Sequence, residues 1–190
     1  MIPQVTVTDR LKNYYELTKP KIWYLLVFTA FGSAITASYS TDNFLSPLQW
    51  IFLLVGIVTG SAAADALTGY NDRDIDAIMD RTKARPIPSG RISPRNALIF
   101  GLLLASISLF CAWSINYLTF GLMAFGLFDN IIVYSKWLKR KSQTNIILGG
   151  FSGAVPALIG YVAVTTENIE IGLAMAALVF FWIPTHIWSL

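Results

Sequence analysis

Charge is what this chain has least of. Only 13% of its 190 residues are Asp, Glu, Lys or Arg, where a soluble domain carries about a quarter. Cysteine and histidine are rarer still, one of each: Cys111 and His186. A single cysteine excludes a disulfide within the chain and a cysteine-based metal site. There is no internal repeat and no low-complexity linker. The opening stretch MIPQVTVTDRLKNYYELTKPK holds no apolar core preceded by basic residues, so no cleaved secretion signal is expected in it.

What fills the space is apolar, 55% of the chain. Ile22 to Ser40, Ala97 to Ile115 and Asn145 to Val164 carry no charge. Leu48 to Tyr70 carries only Asp65, Tyr117 to Ser135 only Asp129, and Ile171 to Leu190 only the ionisable His186. Each run is near the roughly 20 residues a helix needs to cross a bilayer. The reading is an all-α, polytopic membrane bundle in one domain over 1–190, with helices near 22–40, 48–70, 97–115, 117–137, 145–164 and 171–190. Buried helices of a large soluble protein are the bland alternative, and six such runs in so short a chain argue against it.

If the six runs cross alternately, all 14 Lys and Arg fall on one side. They are Arg10, Lys12, Lys19 and Lys21, then Arg73, Arg81, Lys83, Arg85, Arg91 and Arg95, then Lys136, Lys139, Arg140 and Lys141. The opposite loops hold only Asp42, Glu167 and Glu170. The positive-inside rule makes the basic side, with the N-terminus, cytoplasmic in a multi-pass protein of the cell membrane. Basic residues that hug a membrane boundary point to lipid headgroups or an anionic substrate, and no nucleic-acid partner is expected.

The densest charge lies in YNDRDIDAIMDRTKARPIPSGRISPR, residues 70–95. Asp72 and Asp76 are one helical turn apart, and the same face continues back through Thr68 to Asp65. A carboxylate at the depth of Asp65 normally faces a cavity or a partner. Carboxylates in one stripe repel unless a cation stands between them, and Mg²⁺ takes such oxygen ligands and bridges them to phosphates. Arg81 and Arg85 follow closely, with the guanidinium geometry that grips phosphate oxygens. The pattern reads as a diphosphate site at a cavity mouth. A solvated charged loop that merely follows the orientation rule accounts equally for the spacing.

The segment DRDIDAIMDRTKARPIPSGRISP resembles the first aspartate-rich motif of the UbiA superfamily of intramembrane prenyltransferases. YYELTKPKI is similar to that family's approach to its first helix. YSKWLKRKSQTNIILGGFSGAVPALIGY and FFWIPTHIWSL resemble the basic loop, glycine-rich helix and Trp-Pro-His-Trp helix of its haem O synthase (protoheme IX farnesyltransferase) branch. The resemblance implies a bundle of about nine crossings around a central cavity, six of them in this chain. It also implies transfer of a farnesyl group from farnesyl diphosphate to a vinyl group of haem B. On the matching positions Asp72 and Asp76 would hold Mg²⁺, and Arg81, Arg85 and Lys139 would bind the diphosphate. Tyr134 and Asn145 fall in the matching loop segment.

Two departures stand out. Family motifs commonly have Asn where this chain has Thr68, and Asp65 one turn earlier is a candidate to compensate. The family's second acidic motif follows the His-Trp segment, so this chain is expected to be part of a longer protein. His186 is a candidate contact for haem iron or a propionate, with a packing role as the alternative, and Pro184 is expected to bend its helix. Lys19 and Lys21 could reach the diphosphate, though orientation alone accounts for them. Asp129 and Asn130 lie at membrane depth, as catalytic groups or as a helix-to-helix hydrogen bond. Two other functions are open on the residues. One is a UbiA-type enzyme acting on a hydroxybenzoate, a quinone precursor or an archaeal glycerol-phosphate lipid. The other is a non-enzymatic membrane protein such as a transporter or oxidase-assembly partner.

Overall fold

The structure, a computed structural model, describes residues 6–139, 141 and 145–189. Arg140 of the basic loop and Leu190 at the end of the sixth run lie outside the described residues.

Helix α1 (Val7–Leu17) starts on a capping box. Thr6 Oγ accepts from the Asp9 amide at 3.2 Å, and Asp9 Oδ2 accepts from the Thr6 amide at 3.1 Å. It stops at Thr18 and Lys19, the latter left-handed at φ 44°, because Pro20 follows and cannot donate to the preceding turn. Then come α2 (Pro20–Thr41), α3 (Pro47–Asn71) and the short α4 (Arg73–Ile78). After a folded loop follow α5 (Pro94–Ile115), α6 (Tyr117–Phe128), a π-helix (Asp129–Leu138), α7 (Asn145–Val164) and α8 (Ile169–Trp188). Pro20, Pro47 and Pro94 each sit in a first turn, where the missing N–H costs nothing.

Among the described residues six helical segments are long and apolar enough to cross a membrane. Between crossings the helices meet through small residues. Ser108 Oγ on α5 donates to the Gly56 carbonyl of α3 at 2.8 Å. A Cβ on Gly160 of α7 would lie 1.9 Å from the Ala30 carbonyl oxygen of α2, so those two backbones touch directly. Large apolar side chains such as Phe28, Leu103 and Phe110 point outward, as lipid contact requires. The chain is a multi-pass, all-helical membrane protein.

One element departs from a plain reading of periodicity. The run expected as a single span near 117–137 is α-helical only to Phe128 and then winds as a π-helix. Neighbouring helices hold it in that form. Ser152 N on α7 donates to Asp129 Oδ2 at 3.1 Å, and Asn71 Nδ2 at the end of α3 donates to the Ile131 carbonyl at 3.2 Å. A side chain that captures a backbone carbonyl competes with the regular ladder, and π turns concentrate where such competition occurs.

Candidate active site

Helix α3 carries the stripe toward the basic end of the bundle. The helix breaks at Asp72, but Asp72 N donates to the Thr68 carbonyl and Asp76 N to the Asp72 carbonyl, both at 2.9 Å. The four-residue spacing is thereby kept across the break into α4. Thr68, Asp72 and Asp76 are buried.

Each carboxylate of the stripe meets a cation from elsewhere in the chain. Lys19 Nζ, at the junction of α1 and α2, donates to Asp65 Oδ1 at 2.7 Å. Arg85 Nη1 donates to both oxygens of Asp76, at 2.8 and 3.0 Å. Lys139, just after the π-helix, bonds Asp72 Oδ2. Three basic side chains thus face the three carboxylates one by one. Among the described residues no three acidic, histidine or cysteine side chains form one metal-ligating group. Asp65 is held by Lys19.

The loop after α4 is folded down over the site. Thr82 is buried and its hydroxyl donates to the Asp76 carbonyl at 3.0 Å. Ile87 and Ile92 pack with Leu17, Ala66 and Ala97 and anchor the Pro-Ile-Pro segment from below. Arg91 clamps the loop to α1. It donates twice to Glu16, at 2.6 and 2.8 Å, once to Asn13 Oδ1 at 2.7 Å and once to the Ala84 carbonyl at 2.6 Å. The guanidinium holds the Glu16 carboxyl below the usual glutamate range.

Below the stripe lies a cavity of about 750 Å³ between α2, α3, α6 with its π-helix, α7 and α8, within the usual range for small-molecule sites. Asp65, Asn130, Ser152 and Tyr134 border it on the polar side; Leu26, Ile57, Met123 and Ile159 line it as apolar wall. Gly149 makes room for the Tyr134 ring, which a Cβ there would meet at 2.3 Å.

Other residues singled out from the sequence take varied places. Arg81 is exposed, and Lys83 pairs with Asp80 at 2.7 Å. Asn145 begins α7, half-buried, and is not among the cavity-lining residues. His186 stacks on Trp182, a cavity-wall residue, with ring centroids 4.5 Å apart and planes 10° from parallel. Asp129 is tied to the next helix through Ser152, the packing alternative raised for it.

Sequence reasoning missed Asn71, Ser152 and the Arg91 clamp. It also missed what stands beside Thr68: its hydroxyl donates to Asn130 Oδ1 at 3.1 Å. The Asn130 carboxamide thus reaches Thr68 from another helix.

The sequence model of the UbiA prenyltransferase family matches residues 25–190. The chain belongs to that family. Among curated members, it is similar to protoheme IX farnesyltransferase 2 of Cenarchaeum symbiosum (strain A), 52% identical over 96% of this chain and 62% of the relative. A protoheme IX farnesyltransferase of Thermoplasma volcanium is 46% identical over 97% and 64%. The chain thus spans about three fifths of the length of the curated relatives it matches. Solved UbiA-type folds superpose on it. A digeranylgeranylglyceryl phosphate synthase gives a TM-score of 0.77 at 21% identity, covering 92% of this chain and 60% of that one. A UbiA homologue from Archaeoglobus fulgidus, solved with GPP and Mg²⁺, gives 0.70 at 22%, covering 92% and 62%.

Proposed function

We propose that the protein transfers the farnesyl group of farnesyl diphosphate to a vinyl group of haem B, making haem O. The observation that carries this reading is the juxtaposition of buried Asp72 and Asp76, with the basic Arg85 and Lys139, above an apolar cavity. Similarity to protoheme IX farnesyltransferases supports haem B as the acceptor.

Arg85 and Lys139 are each about a third exposed while their carboxylates are buried, so they can present N–H donors to an arriving diphosphate. Arg81 adds a further cation at the same face. These groups stabilise negative charge as the C1–O bond breaks and the diphosphate leaves with the electron pair. The apolar cavity wall shields the allylic cation from water. The terminal vinyl carbon of haem forms the new C–C bond to C1, and water then supplies the hydroxyl and releases a proton. Tyr134 and His186, at or beside the cavity wall, are assigned to the acceptor side, and Asn145 to the support of the basic loop.

Asp72 and Asp76 are assigned to hold Mg²⁺. The donor set fits: both offer carboxylate oxygens, and Asp72 Oδ1 is buried with no hydrogen-bond partner among the described residues. Mg²⁺ is usually held by one or two carboxylates plus substrate phosphates. When bound, it neutralises diphosphate charge. Asp65, with its own unpartnered buried oxygen, and Thr68 border this pair. The positive-inside rule supports a cytoplasmic basic face in the cell membrane.

The test is to incubate membranes holding the protein as encoded with Mg²⁺, farnesyl diphosphate and haem B. The expected product is haem carrying a hydroxyethylfarnesyl chain, read by mass spectrometry. If only a phenol or a glycerol-phosphate lipid gains the prenyl group, the haem assignment fails.

A further inference from the structure

Helix α1 is built in three sectors. One is docked. Asn13 and Leu17 are buried, Asn13 accepts from Arg91, and Tyr14 packs on Phe100 with ring centroids 4.8 Å apart. A second carries the exposed Asp9, Lys12 and Glu16. The third is apolar and open: Val7 is 75% exposed, Leu11 66% and Tyr15 51%. Their four-residue spacing confines them to about 80° of the helix.

Two observations say what covers this third sector. Tyr15 Oη lies 3.3 Å from Tyr24 Oη, and Tyr24 is an outward-facing residue near the start of α2, 56% exposed. The apolar stripe therefore runs directly into the lipid-facing surface of the first span. Only Thr18 and Lys19 separate α1 from α2, and so short a link keeps α1 at the membrane boundary. The charged sector beside the stripe holds Asp9, Lys12 and Glu16, and with the exposed Lys21 beyond it can face the polar headgroup layer.

We infer that α1 is an in-plane membrane anchor, with Val7, Leu11 and Tyr15 sunk into the headgroup–acyl boundary by about 5–10 Å. The anchor also reaches the site. Its last turn holds the motif loop through Glu16 and Arg91, and Lys19 at its end grips Asp65 on the cavity border. The height at which α1 rides on the bilayer sets the height of that pair.

The test uses the whole protein with Cys111→Ala and a single nitroxide label at Leu11→Cys or Lys12→Cys. Both positions are exposed, so neither change disturbs packing. In vesicles of phosphatidylcholine and phosphatidylglycerol, the label at 11 should relax with oxygen and lose its response to a water-soluble nickel chelate. The label at 12 should show the reverse. Equal nickel response at 11 and 12 would overturn the inference. So would shielding of 11 from both reagents with spin–spin broadening that disappears on dilution with unlabelled protein, which would give the stripe to a second copy.

Discussion

Where α3 begins, the chain turns on hydrogen-bonded caps; where α3 ends, it turns on charge. At the first end Ser46 and Gln49 form a reciprocal capping box. A single residue, Asn116, separates α5 from α6, accepting from Thr119 N at 2.8 Å and donating to the Val162 carbonyl at 2.8 Å. At the other end lie all the ion pairs found among the described residues: Lys19–Asp65, Lys83–Asp80, Arg85–Asp76, Arg91–Glu16 and Lys139–Asp72. These caps satisfy backbone groups, within one turn of helix and, at Asn116, on α7 as well. A buried ion pair costs desolvation and often stabilises less than an apolar replacement. The pairs with buried carboxylates, Arg85–Asp76 and Lys139–Asp72, therefore mark that end as kept for something besides stability.

Mutations should divide along the same line. The largest effect is expected at the charged end. Asp72→Ala or Asp76→Ala should lower haem farnesylation about 10²-fold or more, while the protein still resists carbonate extraction from membranes. Retained turnover in both variants would remove the metal and diphosphate roles. Next, at the capped end, Asn116→Ala should lower stability by about 1–2 kcal/mol and leave activity per folded molecule unchanged. Thermal unfolding in detergent alongside the assay reads both; a selective loss of activity would break the division.

The smallest effect is at Glu16. Its carboxyl is held below its ordinary value of 4.5, chiefly by the hydrogen bond from Arg91. The unfolded chain then binds the proton more tightly than the folded one. The pair's contribution is full above pH 4.5 and fades as pH falls through the lower folded value. With both side chains about a third exposed or more, it is worth less than about 1 kcal/mol. The stability gap between wild type and Glu16→Gln should close on going from neutral pH into that acid range; a constant gap would place the effect elsewhere.

The apolar runs made the spans legible, since length and hydropathy are local properties. Spacing also placed Thr68, Asp72 and Asp76 on one face, because a helical turn is a local rule. Partner choice was not legible. Lys19 lies 46 residues from Asp65, and Lys139 lies 67 from Asp72, so only the packed bundle brings them together. The π-helix was hidden for a related reason: its winding answers to Asn71 and Ser152 on other helices, not to its own pattern. Helix α1 was overlooked because a search for long apolar runs passes over a short helix whose apolar residues recur only every fourth position.

The separations of the two buried aspartates from their partners also have a consequence in time. Arg85 follows Asp76 by nine residues and Lys139 follows Asp72 by 67. At a synthesis rate of about 5–20 residues per second, Arg85 emerges within roughly two seconds and Lys139 only after roughly 3–13. In that interval α5, α6 and the π-helix must be made and inserted before Asp72 can meet Lys139. Asp72 therefore gains its Lys139 partner only once the fourth crossing has been made, so that pair forms later in synthesis than Arg85–Asp76 can.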